Sequence, residues 1–211
     1  MARTSTTANA LLGLLALRPR WTMWELAGQL RRNMRFFWPR AESRVYAEAR
    51  RLSAEGFARA EARYTGRRRT TTYAITAAGR RRLRRWLAQP PRPTSLECEA
   101  LLRVLLADLG THEQLLAAIE QVRIDAEAIL DVGRVVGPEY LAGTAPFQDD
   151  VHVRALVFDF LAAHALGMLG WAERADVRAS AWRDETLEQR TRAATDTIAA
   201  RLAELPPAPD S

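Results

Sequence analysis

The chain has 211 residues, is 48% hydrophobic and 27% charged, and carries a formal net charge of +6. That is ordinary globular composition, with enough chain for one or two domains with real cores. Cys98 is the only cysteine, which excludes an intrachain disulfide.

No apolar run is read as approaching the ~20 residues that a membrane span needs. Ala10 to Leu17 resembles a short signal-peptide core, but Arg3 is its only basic flank and Leu17-Arg18-Pro19-Arg20 is no small-residue cleavage site. The expectation is a cytoplasmic protein with no membrane partner. The net charge hides a division. Residues 1–88 hold 20 arginines and 5 acids, a charge of +15; residues 89–211 hold 11 arginines and 20 acids, a charge of −9. Lysine is absent. Such asymmetry separates a polyanion-binding half from a half with another task.

Thr6 or Thr7 is read as the cap of a first helix whose Ala8, Leu11, Leu12, Leu14, Leu15 and Leu17 are dense enough for burial on most sides. Thr22 with Glu25 forms a capping box for a second helix, lined inside by Leu26 and Leu30. Arg31, Arg32 and Arg35 gather at its end, suiting either the helix dipole or phosphate. Phe36-Phe37-Trp38-Pro39 reads as a turn pinned into the core, with base stacking as the alternative.

Pro39 breaks the chain and Glu42 places an acid in the first turn of a third helix. Val45, Ala49 and Leu52 fall on one face. Ser43, Ala47 and Arg50 fall opposite, flanked by Arg44, Tyr46 and Arg51. An apolar stripe under a cationic outer face, followed by a basic hairpin, fits a DNA recognition helix and its wing. Arg44 and Arg50 are the candidates for reading guanine, and Ser43 for bonding phosphate. Tyr46 fits phosphate or partial burial against the second helix equally well. After Gly56, residues 57–64 alternate as a strand, with Ala58, Ala60, Ala62 and Tyr64 on one face, and Thr70 to Ile75 returns. Arg67, Arg68 and Arg69 crowd the tip, where mutual repulsion argues for phosphates or a minor groove nearby.

Thr76 caps a fourth helix with Leu83, Trp86 and Leu87 on its apolar side and arginines over the rest, ending at Gln89-Pro90-Pro91-Arg92-Pro93. Beyond lie an apolar helix from Leu96 to Leu109, a capping box of Thr111 and Gln114, and a long amphipathic helix from His112 to about Val136. A loop spans Gly137 to Phe147. Further helices are read from Val151 to about Glu173 and from Asp176 to Leu205. The expected fold is mainly α. Residues 1–89 make a winged helix-turn-helix with a two-stranded β wing, residues 94–205 a helical dimerisation domain with a candidate effector site, and residues 206–211 a disordered tail. Apolar faces wider than one small domain needs point to a second copy of the chain.

Several fragments together resemble the PadR family of bacterial transcriptional regulators. They are Ala10 to Leu17, Trp24-Glu25-Leu26, Phe37-Trp38-Pro39, Val45 to Leu52 with Glu55-Gly56, and Tyr73 to Arg80. The resemblance implies a winged helix-turn-helix homodimer that usually represses by occupying an inverted repeat in double-stranded DNA. It also implies sensing of small apolar or aromatic molecules, for which Trp86, Trp171 and Trp182 are candidate pocket walls; core packing is their alternative role. Trp21-Thr22-Met23-Trp24 departs from the Gly and Tyr that the family often has before Glu-Leu.

No catalytic, metal-binding or cofactor-binding pattern is read. His112, His152 and His164 are the only histidines, and the latter two lie twelve residues apart. There is no phosphate-cradling glycine loop and no HExxH. A sequence-specific regulator is therefore expected rather than an enzyme, the rival being an architectural protein that binds any duplex.

Overall fold

The computed structural model describes residues 5–39, 41–65 and 68–207. It is mostly helical, with one small antiparallel sheet, and divides into two compact units, Met1–Ser95 and Leu96–Ser211.

In the first unit, α1 (Thr6–Leu17) is nearly all core. Ala8, Leu11, Leu12, Leu14 and Leu15 are buried, and the helix lies against the three helices and the strand that follow it. Its cap is Ser5, one residue ahead of the expected threonines: the Ser5 hydroxyl accepts the amide of Ala8 at 3.3 Å, and Thr7 goes inward instead. Two-residue β1 (Trp21–Thr22) leads directly into α2 (Met23–Met34), where the capping box of Thr22 and Glu25 forms as expected. α3 (Glu42–Ala54) follows, then β2 (Ala58–Thr65), β3 (Arg68–Ile75) and α4 (Ala77–Leu87).

The sheet has the order β1-β3-β2, so the wing carries a third strand that was not expected. Trp21 pairs with Tyr73 and Thr22 with Thr72. A strand of two residues offers no alternation to read, and Trp21 is there to be buried. In β2 Ala58 is buried while Ala60 and Ala62 of the same face are exposed, because the hairpin leaves the helices as it extends; the side chain of Tyr64 lies outside the described residues. Thr76 caps α4 as expected, accepting the amide of Gly79 at 3.1 Å. Gly79 sits where this cap meets the end of α3. A Cβ there would lie 2.1 Å from the carbonyl oxygen of Phe57.

In the second unit, α5 (Glu99–Leu105) is shorter than expected and closes in a 3-10 turn, Ala107–Leu109. α6 (His112–Leu141) starts at the expected capping box of Thr111 and Gln114, but continues through Gly137-Pro138 where a loop was expected. Pro138 only removes one amide near the helix end, and the last turn still closes through Ala142 and Gly143, the latter at φ 72. α7 (Val151–Ala181) runs back along α6 and extends past the expected stop at Glu173. α8 (Leu187–Glu204) begins at a capping box of Thr186 and Gln189. The end of α7 and start of α8 therefore fall inside the single final helix that was expected.

The α6–α7 seam is made of small residues on one side. α7 buries Ala165, Ala172 and Ala179, spaced by seven, and the last two pack with Leu115, Ile119 and Val122 of α6 and Ala100 of α5. Such a seam allows close helix approach; Met168 and Trp171 flank it partly buried, while other large apolar side chains of α7 stay outside. Leu156, Phe160 and Leu166 are exposed, as are Leu105 at the end of α5, Leu109 in the 3-10 turn, and Ile198 and Leu202 on α8. Among the described residues one helical stretch, Gln148–Ala181, is long and apolar enough to cross a membrane by length and composition, its most apolar 18 residues having a mean hydropathy of 1.5. Asp159 and His164 interrupt that run, so the sequence shows no unbroken apolar span of ~20 residues. Of the expected tail, residues 208–211 lie outside the described residues.

Two predictions follow from the first unit's packing. Gly79→Ala forces apart the α4 cap and Phe57 and is expected to cost about 3 kcal/mol, measured by urea unfolding. Partial burial pushes the Glu25 carboxyl up; hydrogen bonds from the Thr22 backbone and hydroxyl, with the Arg18 guanidinium, outweigh it and hold the group below its ordinary value. A carboxyl lowered on folding stabilises above its unfolded pKa of about 4.3 and loses that contribution as pH falls through the folded value. Wild type is expected to exceed Glu25→Gln in Tm at pH 7, with the gap closing as pH falls below the unfolded value and through the lowered folded one.

Candidate nucleic-acid interface

The outward face of α3 follows from what the helix buries. Val45, Ala49 and Leu52 are inside, and Leu52 is 0% exposed. Ser43, Arg44, Tyr46, Ala47, Arg50 and Arg51 are all solvent-exposed. Tyr46 retains 38% exposure, so its ring is neither fully free nor enclosed. Ala47 keeps the centre of this face low, which permits close approach by a flat or grooved ligand.

The three cations of this face differ. Arg51 is engaged along its own helix, 2.9 Å from Glu48 and 3.6 Å from Glu55. Arg44 and Arg50 pair with no carboxylate among the described residues. Their charge is left for something outside the chain. The entry to α3 is held from both sides. Arg31 of α2 meets Glu42 at 2.7 Å, and the Trp38 indole donates to the Thr7 hydroxyl of α1 at 3.3 Å. Trp38 is thus part of a pinned turn. Phe37 remains exposed beside it, and Arg35 lies over the Phe36 ring at 4.4 Å.

On the wing, Arg20 and Arg59 converge on Glu61 at 3.4 and 2.7 Å. Arg68 and Arg69 begin β3, in register with Thr65 and Tyr64. Arg67 lies outside the described residues, as do the side chains of Arg68 and Arg69. α4 adds exposed Arg80, Arg81, Arg84 and Arg85, whereas Arg82 turns inward at 12% exposure. Trp24, in the first turn of α2, is 77% exposed and was not singled out as a contact residue. An apolar ring that large left in water at the start of a helix is the signal that marks it.

The three tryptophans considered as pocket walls do not form one group. Trp171 and Trp182 are partly buried against the α5–α6–α7 core, and the Trp182 indole nitrogen is enclosed without a hydrogen-bond partner among the described residues. Trp86 stands in the other unit on α4, half-buried. Among the described residues no group of three or more His, Cys, Asp or Glu side chains could hold a metal ion.

Three helices with the third presenting a cationic face, then a returning hairpin and a fourth helix, define a winged helix-turn-helix of the DNA-binding class. Residues 11–85 match the model of the transcriptional regulator PadR-like family, and this stretch of the chain is PadR-like. The fold of the chain is similar to that of a PadR-like transcriptional regulator from Bacillus cereus, with a TM-score of 0.70 at 16% identity, covering 83% of this chain and 99% of that one. Bacillus subtilis PadR in complex with operator DNA gives a TM-score of 0.67 at 19% identity over the same shares of the two chains. The same protein in complex with p-coumaric acid gives 0.62 at 19% identity, again over 83% and 99%. At these identities the likeness is one of fold. No curated protein matches the chain in sequence.

Proposed function

We propose that the chain binds an inverted-repeat operator as a homodimer and represses transcription by occupying it, with release by a small aromatic or apolar effector. The observation that carries this is the pair of exposed, unpaired guanidinium groups of Arg44 and Arg50 on the outer face of α3, beside Ser43 and low-profile Ala47. Arginine's planar fork matches the two acceptors on the major-groove edge of guanine. Ser43 and Tyr46 bond phosphate and set register; Arg51 and the wing arginines Arg67, Arg68 and Arg69 supply affinity that is sensitive to salt but indifferent to sequence.

The second copy is argued from what the second unit leaves outside. Its internal seam uses alanines, while Leu105, Leu109, Leu156, Phe160, Ile198 and Leu202 face water. Side chains of that size at such exposure are the usual material of an interface. A two-fold pair sets two recognition helices about 34 Å apart, one turn of duplex, which calls for an inverted repeat. Release by an effector is supported by the neighbouring structure with p-coumaric acid and by the enclosed Trp182 indole, which has no hydrogen-bond partner among the described residues and packs against the same core as Trp171.

Selection of duplexes from a random pool is expected to enrich an inverted repeat, and sedimentation to give twice the chain mass of 23.7 kDa. Enrichment of no sequence would favour the architectural alternative. On the selected duplex, Arg44→Ala is expected to cost about 1–3 kcal/mol of discrimination against scrambled DNA. Arg68→Ala should instead weaken both duplexes alike and lower the slope of log K against log salt by about 1. Equal losses from the two variants would contradict this division of labour.

A further inference from the structure

Two polar side chains are buried in α1, an otherwise apolar helix: Thr7 at 3% exposure and Asn9 at 0%. Each reaches one end of α3. Thr7 accepts the indole N–H of Trp38, just before the helix begins. Asn9 works through a second residue. Its Oδ1 accepts from Nε of Arg82 at 3.3 Å, and Nη1 of the same guanidinium donates to Oε2 of Glu55 at 3.2 Å, at the C-cap of α3. The Arg82 guanidinium also lies over the Phe57 ring, 4.6 Å from its centroid. Arg82 is the arginine of α4 that points inward, and its head group ties α1 to the exit of the recognition helix.

A buried amide in an apolar helix is costly, and Asn9 Nδ2 finds no partner among the described residues. A leucine there would pack with no such penalty, so the arrangement spends stability on geometry. The guanidinium fork fixes two acceptors in one plane, which a single point charge does not. Glu55 in turn lies 3.6 Å from Arg51, linking the anchor to the exposed face of α3.

We infer that Arg82, held by Asn9 and gripping Glu55, is a positioning residue that sets the aim of the recognition helix and thereby sequence discrimination, without touching DNA. This deepens the operator reading and rests on it for its DNA arm. The test compares Arg82→Gln and Arg82→Lys with wild type, well below the Tm of each, on the duplex that wild type selects and on a scrambled one. Arg82→Gln is expected to lose about tenfold in affinity for the selected duplex and less than about twofold for the scrambled one, with the salt slope unchanged. Arg82→Lys, which keeps a cation beside Glu55 but not the fork that also reaches Asn9, should recover only part of the loss. Equal loss on both duplexes with a flatter salt slope would make Arg82 a phosphate contact and overturn the inference. So would unchanged affinities. Hydrogen exchange without DNA gives an independent arm: Arg82→Gln should speed exchange in residues 51–57 and spare residues 11–15, whereas a uniform change or none overturns the inference. If wild type selects no duplex, the operator reading fails alone and the exchange result still decides the role of Arg82. Should Arg82→Gln not fold, Glu55→Gln repeats both arms from an exposed side chain.

Discussion

The structure rests on the contact between α1 and the apolar stripe of α3. Once Val45, Ala49 and Leu52 are inside, the periodicity of the helix leaves Arg44, Ala47 and Arg50 no direction but outward. Everything else in the first unit serves that contact. The hydrophobic term is large but non-directional, and it would tolerate some rolling of one helix on the other. Directional bonds at the two ends of α3, from Trp38 to Thr7 and from Arg82 to Asn9 and Glu55, restrict that freedom.

Charge is arranged on the same principle. Arginines with structural tasks are neutralised: Arg18 by Glu25, Arg31 by Glu42, Arg51 by Glu48, Arg82 by Glu55. With only five acids available to twenty arginines in residues 1–88, most of the remaining cations cannot be paired internally. The excess is what makes this half attractive to a polyanion. The acidic second half answers a different demand. Its alanine seam holds α6 and α7 close while many bulky side chains stay outside, a distribution that leaves a monomer with unusual apolar exposure.

Much of the first unit was legible because its signals are local. The capping box at Thr22 and the cap at Thr76 each need only two residues at fixed spacing, and both form, as does the box at Thr111 in the second unit. The stripe of α3 needs only a period. What failed depended on tertiary context or on a signal passed over. β1 is too short to show alternation, and only its pairing with β3 makes it a strand. α6 passes through Pro138 because packing on α7 outweighs one missing bond. The Thr186–Gln189 capping box was present in the sequence but overridden by a continuous apolar pattern. Arg82 was hidden within a run of five arginines; its spacing of three from buried Gly79 marks the inward face.

The central claim is that the cations between Ser43 and Arg50 meet the duplex directly. Arginine-selective labelling by phenylglyoxal, read residue by residue by mass spectrometry with and without the selected duplex, addresses it most directly. Arg44 and Arg50 should react readily in the free protein and become protected on DNA, while Arg82 stays slow in both states. Protection confined to the α4 arginines, with Arg44 and Arg50 reacting alike in both states, would contradict the account.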